Sequence, residues 1–431
     1  MYDDMLAKFV LDFLCIVLFF NMDFLFLGNK KPLFCGIIKL QDKIKKQNRG
    51  VLYMLFSSNN SLKHMPEKCK TLNLHTVNKL EQVAQEVIHK KAVAKAVAKQ
   101  KAELPVQQVI GEKLVDYSQT GKKRKWDTHK QNSLRLADLY KEVLKLYPNL
   151  ITAKRLEDLK LCAEQLEYLV DADGNKKLYR TYFCRNRLCP MCQWRRSLKL
   201  FGQVSQITNY VSAKNTGVRY LFITLTQKNC VGSELGTEFN KINTAFKKLV
   251  DKTKRVATAK KIQDSLLGYI KSTEVTYNSK TNTYHPHLHC IFAVEESYFK
   301  SSNYISKNVW RSIWAELLGV DYLPQINVQA IKPNKQEKAV AELAKYPAKI
   351  TNILDLPQQQ AVQVVADLTI FCYKRRFVAF GGILKKAKAV LKLQDVEAEN
   401  ADLIGVENMQ GFNAVARVLY KYNARFGTYI G

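Results

Sequence analysis

Two periods of apolar residues organise the chain. Over 219–226 (Arg219-Tyr220-Leu221-Phe222-Ile223-Thr224-Leu225-Thr226) polar and apolar positions alternate, as on a half-buried strand. Residues 268–277 and 285–294 have the same β-branched and aromatic character. The polar stretch Asn278-Ser279-Lys280-Thr281-Asn282-Thr283 between them reads as a turn. Elsewhere the spacing is helical. It runs through 132–167 (Leu134, Leu136, Leu139, Tyr140, Val143, Leu144), then 239–256 and 306–318. A strand is expected over 322–331, followed by a helix with Asn334 as N-cap and Pro347 at its end. This order predicts an α+β fold: a central antiparallel sheet with helices on one side.

The N-terminal stretch, 1–64, does not follow the pattern. Residues 9–28 form an apolar run long enough to cross a bilayer. Asp12 and Asp23 would each cost about 2.5–3.5 kcal/mol in hydrocarbon, and the flank is acidic, unlike a signal peptide. A membrane anchor, a packed hydrophobic hairpin, and translated upstream sequence with the start at Met54 or Met65 are the three readings. The last is preferred, and no membrane partner is expected. Residues 65–115 form an Ala/Lys-rich helical segment, and 116–215 a basic, cysteine-bearing region. Residues 216–390 hold the strands, and 391–431 read as a C-terminal tail.

Charge narrows the function. With 68 basic and 38 acidic residues, the 431-residue chain carries a formal +30, which suits a polyanionic partner, nucleic acid before all others. Lys122, Lys123, Arg124 and Lys125 precede Trp126, a combination fit for phosphate contact and base stacking, although such runs are often only solvated. Arg375 and Arg376 precede a Gly381-Gly382 turn that either tracks a nucleic-acid backbone or closes a plain hairpin.

Ten cysteines are unevenly spread, and three fall within nine residues: Cys184, Cys189 and Cys192. Cys189-x-x-Cys192 is the usual half of a structural zinc site in a reducing cytosol, and Cys162 is the nearest fourth thiolate. Buried free cysteines are the alternative. Arg195 and Arg196 beside the cluster would present a rigid basic surface.

Three of seven histidines lie in His285-Pro286-His287-Leu288-His289. On a strand His287 and His289 share one face, while Leu288 and Cys290 take the other. If the strand folds back as a simple hairpin, Glu274 falls opposite His287, with Cβ atoms roughly 5 Å apart. The three would converge on one cation. His285 has the same parity and reads as a third ligand, a strand-start residue or a DNA contact. His64, His75, His89 and His129 read as surface or satisfied core residues. On the later helix Glu342 and Tyr346 share a face, with Lys345 and Lys349 close by. A tyrosine there can attack a phosphodiester polarised by a metal, and a glutamate one turn away can activate water. Alone, that helix would read as a core tyrosine beside an exposed glutamate.

In this order the motifs resemble the replication initiators of small rolling-circle plasmids, a single-tyrosine branch of the HUH endonucleases. The resemblance runs from about Asp116 to Lys386. Its carriers are Leu188-Cys189-Pro190-Met191-Cys192, Phe222-Ile223-Thr224-Leu225-Thr226, the histidine segment, Glu342 with Lys345-Tyr346, and Arg375-Arg376 with Gly381-Gly382. It implies an HUH, ferredoxin-like sheet in a bacterial cytoplasmic protein. It further implies Mg²⁺ or Mn²⁺ on His287, His289 and Glu274, and a structural Zn²⁺. Tyr346 would nick one strand at the plasmid's double-strand origin and keep a 5′-phosphotyrosine, with Glu342 activating water at termination. The DNA would be single-stranded or hairpin-extruded at the nick, and a host helicase and polymerase would be partners.

Three other classes compete. A mobilisation relaxase uses related chemistry but usually carries its tyrosine before the histidines. A non-catalytic zinc-containing DNA-binding regulator explains the charge and cysteines, but not Glu274, His287, His289 and Tyr346 together. A non-haem iron oxygenase would use two histidines and a carboxylate but has no need of the charge.

Overall fold

The computed structural model describes residues 86, 89–96, 98–118, 120–253, 256–300, 302–332, 335–345, 350–405 and 412–431. The 1–64 extension, Asn334, Tyr346, Pro347 and Lys349 lie outside the described residues. Among the described residues no helix is long and apolar enough to cross a membrane. The chain divides after Leu104. In the first unit, residues 89–96 and 98–102 are helical and largely exposed, as an Ala/Lys-rich sequence without a core face should be.

In the second unit helices α1 (Trp126–Leu146) and α2 (Ala153–Leu161) are followed by strands β1 (Gln165–Asp171) and β2 (Lys176–Arg180). Next come α3 (Pro190–Lys214), β3 (Val218–Thr226), α4 (Leu235–Val250), α5 (Lys260–Ser265), β4 (Leu266–Asn278) and β5 (Thr283–Glu295). The chain continues through α6 (Lys307–Leu318), β6 (Ile326–Ala330), α7 (Gln336–Leu343), α8 (Ile350–Ile353) and α9 (Gln358–Cys372). It closes with β7 (Val378–Gly381), α10 (Gly382–Val390), β8 (Ala414–Asn423) and β9 (Thr428–Ile430).

The fold is α+β with two antiparallel sheets. One has the order β6-β3-β5-β4-β7, the other β2-β1-β8-β9. The histidine strand β5 is the centre of the first. The β4–β5 hairpin turns at the expected loop and pairs Glu274 with His287, the expected register. Its one irregularity falls between Leu266 and Gly268, at the far end, so the parity at Glu274 survives.

Helices cover both faces of this sheet, not one as expected. Leu221, Ile223, Leu288, Cys290 and Phe292 pack against Ile242 and Phe246 of α4 and Trp310 and Trp314 of α6. The opposite positions, Phe222, Ile270, Ile291 and Ala293, pack against α3, α7 and α10 through residues such as Leu200, Val204, Val340, Leu343 and Leu384. A central strand buried on both sides is apolar at both parities, which is why β5 reads as a nearly continuous apolar run.

Several element bounds differ from the sequence expectation. The single helical pattern over 132–167 is α1, α2 and β1. Pro148 bars continuation of α1, and the Thr152 side chain caps α2 by accepting from the Arg155 amide. Helix α4 ends at Val250, where Asp251 accepts hydrogen bonds from the Thr253 amide and hydroxyl. The strand expected over 322–331 shrinks to β6, because Pro324 has no amide to donate. The expected tail supplies β8 and β9, and β8 pairs with β1 along its length. Gly381-Gly382 is a packing device. Gly382 has φ +57°, and a Cβ there would sit 2.1 Å from the Leu267 carbonyl oxygen.

Candidate functional site

The fold brings two groups of metal-ligating side chains together. On the five-stranded sheet, Glu274, His287 and His289 are buried, with one ligand atom of each within 4.8 Å of the others. Glu274 Oε2 lies 2.9 Å from His289 Nε2 and 3.5 Å from His287 Nε2. The opposite ring nitrogens are held from behind. His287 Nδ1 is 3.1 Å from the His285 carbonyl oxygen, and His289 Nδ1 is 3.3 Å from Thr224 Oγ1. A carbonyl only accepts, so the His287 proton sits on Nδ1 and leaves Nε2 free to coordinate. Adjacent donors around a six-coordinate ion at about 2.1 Å are about 3 Å apart, so the spacing fits. A set of two imidazoles and a carboxylate suits a divalent ion with open positions.

His285 lies outside this group. Its ring is 5.2 Å from that of His287, and its Nε2 is buried without a hydrogen-bond partner. Burial, then the neighbouring His287, push its pKa down, which favours the neutral ring.

The second group is Cys162, Cys184, Cys189 and Cys192, all free thiols. Sγ separations are 3.6 Å (Cys162–Cys192), 3.7 Å (Cys184–Cys192) and 3.7 Å (Cys162–Cys189). A tetrahedral zinc site with Zn–S near 2.3 Å has edges of about 3.8 Å, so four thiolates here fit one ion. Cys189 is the N-cap of α3 and Pro190 opens the helix. Supporting contacts come from α1. Ser133 Oγ lies 3.4 Å from Cys189 Sγ, and the fully buried Lys130 donates to the Cys162 carbonyl at 3.0 Å while pairing with Glu164. Nothing in the sequence pattern marked Lys130, Ser133 or Thr224, because each acts across tertiary contacts.

The basic residues separate into two sets. Lys122, Lys123 and Lys125 are exposed. Arg124 pairs with Asp116, and Trp126 is 3% exposed with its indole N–H donated to Asp116. The base-stacking role expected of Trp126 is therefore corrected: its ring packs edge-on to Trp194 and Tyr168. Arg195 and Arg196 do not form the expected surface. Both are 3% exposed; Arg195 donates to the carbonyls of Leu403 and Ile404, and Arg196 to those of Arg185 and Asn186. Arg375 lies over the Phe239 and Phe371 rings and donates to the Phe371 carbonyl. Arg376 is exposed and pairs with Asp395.

Helix α7 lies on the histidine face. Its Val340 and Leu343 share a core with Phe222 and Ile291, the residues two positions from Thr224 and His289 along β3 and β5. Glu342 and Lys345 form a half-exposed ion pair at the end of this helix. Tyr346 and Lys349, expected beside them, lie outside the described residues.

Comparison with known proteins gives a consistent set of relatives. The family model described as replication protein matches residues 175–430. Protein rep of Streptococcus pneumoniae serotype 2 is 37% identical over 295 residues, covering 68% of this chain and 86% of that protein. Protein rep of Lentilactobacillus hilgardii is 35% identical, covering 68% of this chain and 90% of its own. For Protein rep of Bacillus amyloliquefaciens the figures are 33%, 68% and 89%. No solved structure matches.

Proposed function

The chain belongs to the replication protein family, and from that premise we propose that it initiates plasmid replication by nicking one strand of the origin. The observation that carries the reading is the convergence of Glu274, His287 and His289 on the sheet face that also bears α7. This is the arrangement expected of an HUH endonuclease.

In this reading Glu274, His287 and His289 would hold Mg²⁺ or Mn²⁺, which would supply positive charge to polarise the scissile phosphate. The Tyr346 oxygen attacks phosphorus and gives up its hydroxyl proton, the bond from phosphorus to the 3′ oxygen breaks, and that oxygen takes up a proton to leave as a 3′-hydroxyl, so the step releases no net proton. Tyr346 keeps the 5′-phosphate, so the energy of the broken linkage is conserved for rejoining. Glu342, paired with Lys345, accepts the proton of water in the terminating cleavage. The four cysteines hold a structural Zn²⁺. Lys122, Lys123 and Lys125 meet the phosphate backbone of the origin, in the bacterial cytoplasm. A host polymerase would then extend the exposed 3′-hydroxyl while a host helicase unwinds the duplex ahead of it.

The test is cleavage of single-stranded oligonucleotides from the plasmid's own origin with Mn²⁺, comparing the full chain with Tyr346→Phe. A covalent protein–DNA adduct in the wild type alone is expected. An adduct that persists in the variant would move the nucleophile elsewhere. Absence of any adduct, with DNA and metal still bound, would sink the nicking activity.

A further inference from the structure

One row of the sheet holds more polar atoms than the three ligands account for. His289 of β5 is flanked in register by Thr224 on β3 and Ser272 on β4. The imidazole is oriented across this row. Nδ1 faces Thr224, and Nε2 faces Glu274 on β4. The nitrogen available to an ion is therefore on the β4 side, where Ser272 lies two residues from Glu274 on the same face. Ser272 is 1% exposed, and its Oγ has no hydrogen-bond partner. A buried hydroxyl without a partner is unfavourable, and such groups are satisfied by water or an ion when not by protein. Both nitrogens of the neighbouring imidazole are already engaged, so His289 cannot supply the bond.

We propose that Ser272 is a positioning residue for the ion held by Glu274, His287 and His289, its Oγ accepting a hydrogen bond from a water bound to that ion. The proposal rests on the metal reading above. Hard divalent ions keep several waters when bound by few protein ligands, and polarised water is a strong donor. A hydroxyl at the edge of the site fixes such a water and, through it, the orientation of the open coordination positions. Thr273 provides an internal control. Its Oγ1 is likewise buried without a hydrogen-bond partner, but it points to the opposite face, opposite Leu288 in register.

The experiment is a Mn²⁺ titration of the full chain followed by the paramagnetic resonance of free Mn²⁺. Wild type is compared with Ser272→Ala, Ser272→Cys, Thr273→Val and the double variant His287→Ala/His289→Ala. Thermal melts with and without Mn²⁺ accompany it. Ser272→Ala and Ser272→Cys are expected to weaken Mn²⁺ about 10- to 100-fold, as loss of an outer-shell partner does. The metal-free Ser272→Ala protein should melt no lower than wild type, since the deleted hydroxyl had no partner, while the rise in Tm on adding Mn²⁺ shrinks. Thr273→Val should bind Mn²⁺ as wild type does. The isosteric cysteine keeps the test decisive if the alanine variant fails to fold. Equal Mn²⁺ affinity in wild type and both Ser272 variants would overturn the inference and leave the metal centre standing. The same loss in Thr273→Val would overturn it as a general effect on β4. A wild type that binds no Mn²⁺, or binds it without the histidines, would remove the metal centre and this inference together.

Discussion

Removing the metal expected at the four-cysteine cluster should loosen the half of the protein built around α1, α3 and the four-stranded sheet. All four cysteines are part of that apolar core or packed against it. The thiols hydrogen-bond one another, but on unequal terms. Burial raises the Cys162 thiol well above its usual range, whereas Cys189 is held well below its own: burial opposes ionisation, but hydrogen bonds from the other three thiols and Ser133 outweigh it. A cation resolves this conflict by binding every sulfur as thiolate. At free zinc 100 to 1,000 times its Kd, mass action stabilises the folded state by about 2.7–4.1 kcal/mol. For the unit of about 330 residues from Pro105 to Gly431, an unfolding entropy of about 2.1 cal/mol/K per residue makes each kcal/mol worth about 1.5 °C in Tm, so chelation should lower it by roughly 4–6 °C. Calorimetric melts with and without a zinc chelator, on protein whose metal content has been measured, read this directly. Cys192→Ser should abolish most of the chelator response, because Cys192 neighbours both Cys162 and Cys184. Cobalt substitution should give the intense visible bands of a tetrahedral thiolate site. Zinc-free protein that melts with the zinc-loaded form, or cobalt protein without thiolate charge transfer, would refute the reasoning.

Two further outcomes follow from packing and burial. Gly382→Ala places a Cβ against the Leu267 carbonyl in a left-handed residue, and should cost about 3 kcal/mol or more in denaturant unfolding; an unchanged midpoint would contradict the close approach of β4 and α10. Desolvation by burial pushes the Lys271 pKa from 10.5 down to about 8. Between those values the unfolded chain holds a proton that the folded one has released, so this group makes stability rise with pH by up to about 1.4 kcal/mol per unit. Lys271→Met should therefore gain most over wild type below pH 8, and its advantage should shrink towards pH 10.5; a gain independent of pH would show that the ammonium is not desolvated.

The convergence of Glu274, His287 and His289 was legible because strand parity is a local property. Once 268–277 and 285–294 are read as a hairpin, Glu274, His287 and His289 have nowhere else to point. Cys162 could be named from its distance to the cysteine run. Long-range pairing left no such trace. Strands β1 and β8 are separated by some two hundred and fifty residues, and the alternation in 414–423 is too short to announce a partner. Arg195 and Arg196 misled for a related reason. An arginine run looks like surface until the carbonyls it caps are known, and those belong to Leu403, Ile404, Arg185 and Asn186. Trp126 was read with its basic neighbours, but its indole answers to Asp116.

Helix α3 begins at the cysteine cluster and ends under the histidine face. Met191 and Cys192 belong to one core, and Leu200, Val204, Ile207 and Val211 to another. Its 25 residues span about 37 Å as a single rod. The two regions therefore share a beam and cannot be traded as independent modules. A fragment that starts after Lys214 keeps the histidine strands but loses their underside, and one that stops before Pro190 keeps only β1 and β2 of the strands. Any grafting of a new origin preference onto this scaffold has to carry the whole rod, and recombination within it should be tolerated only where both ends come from the same parent.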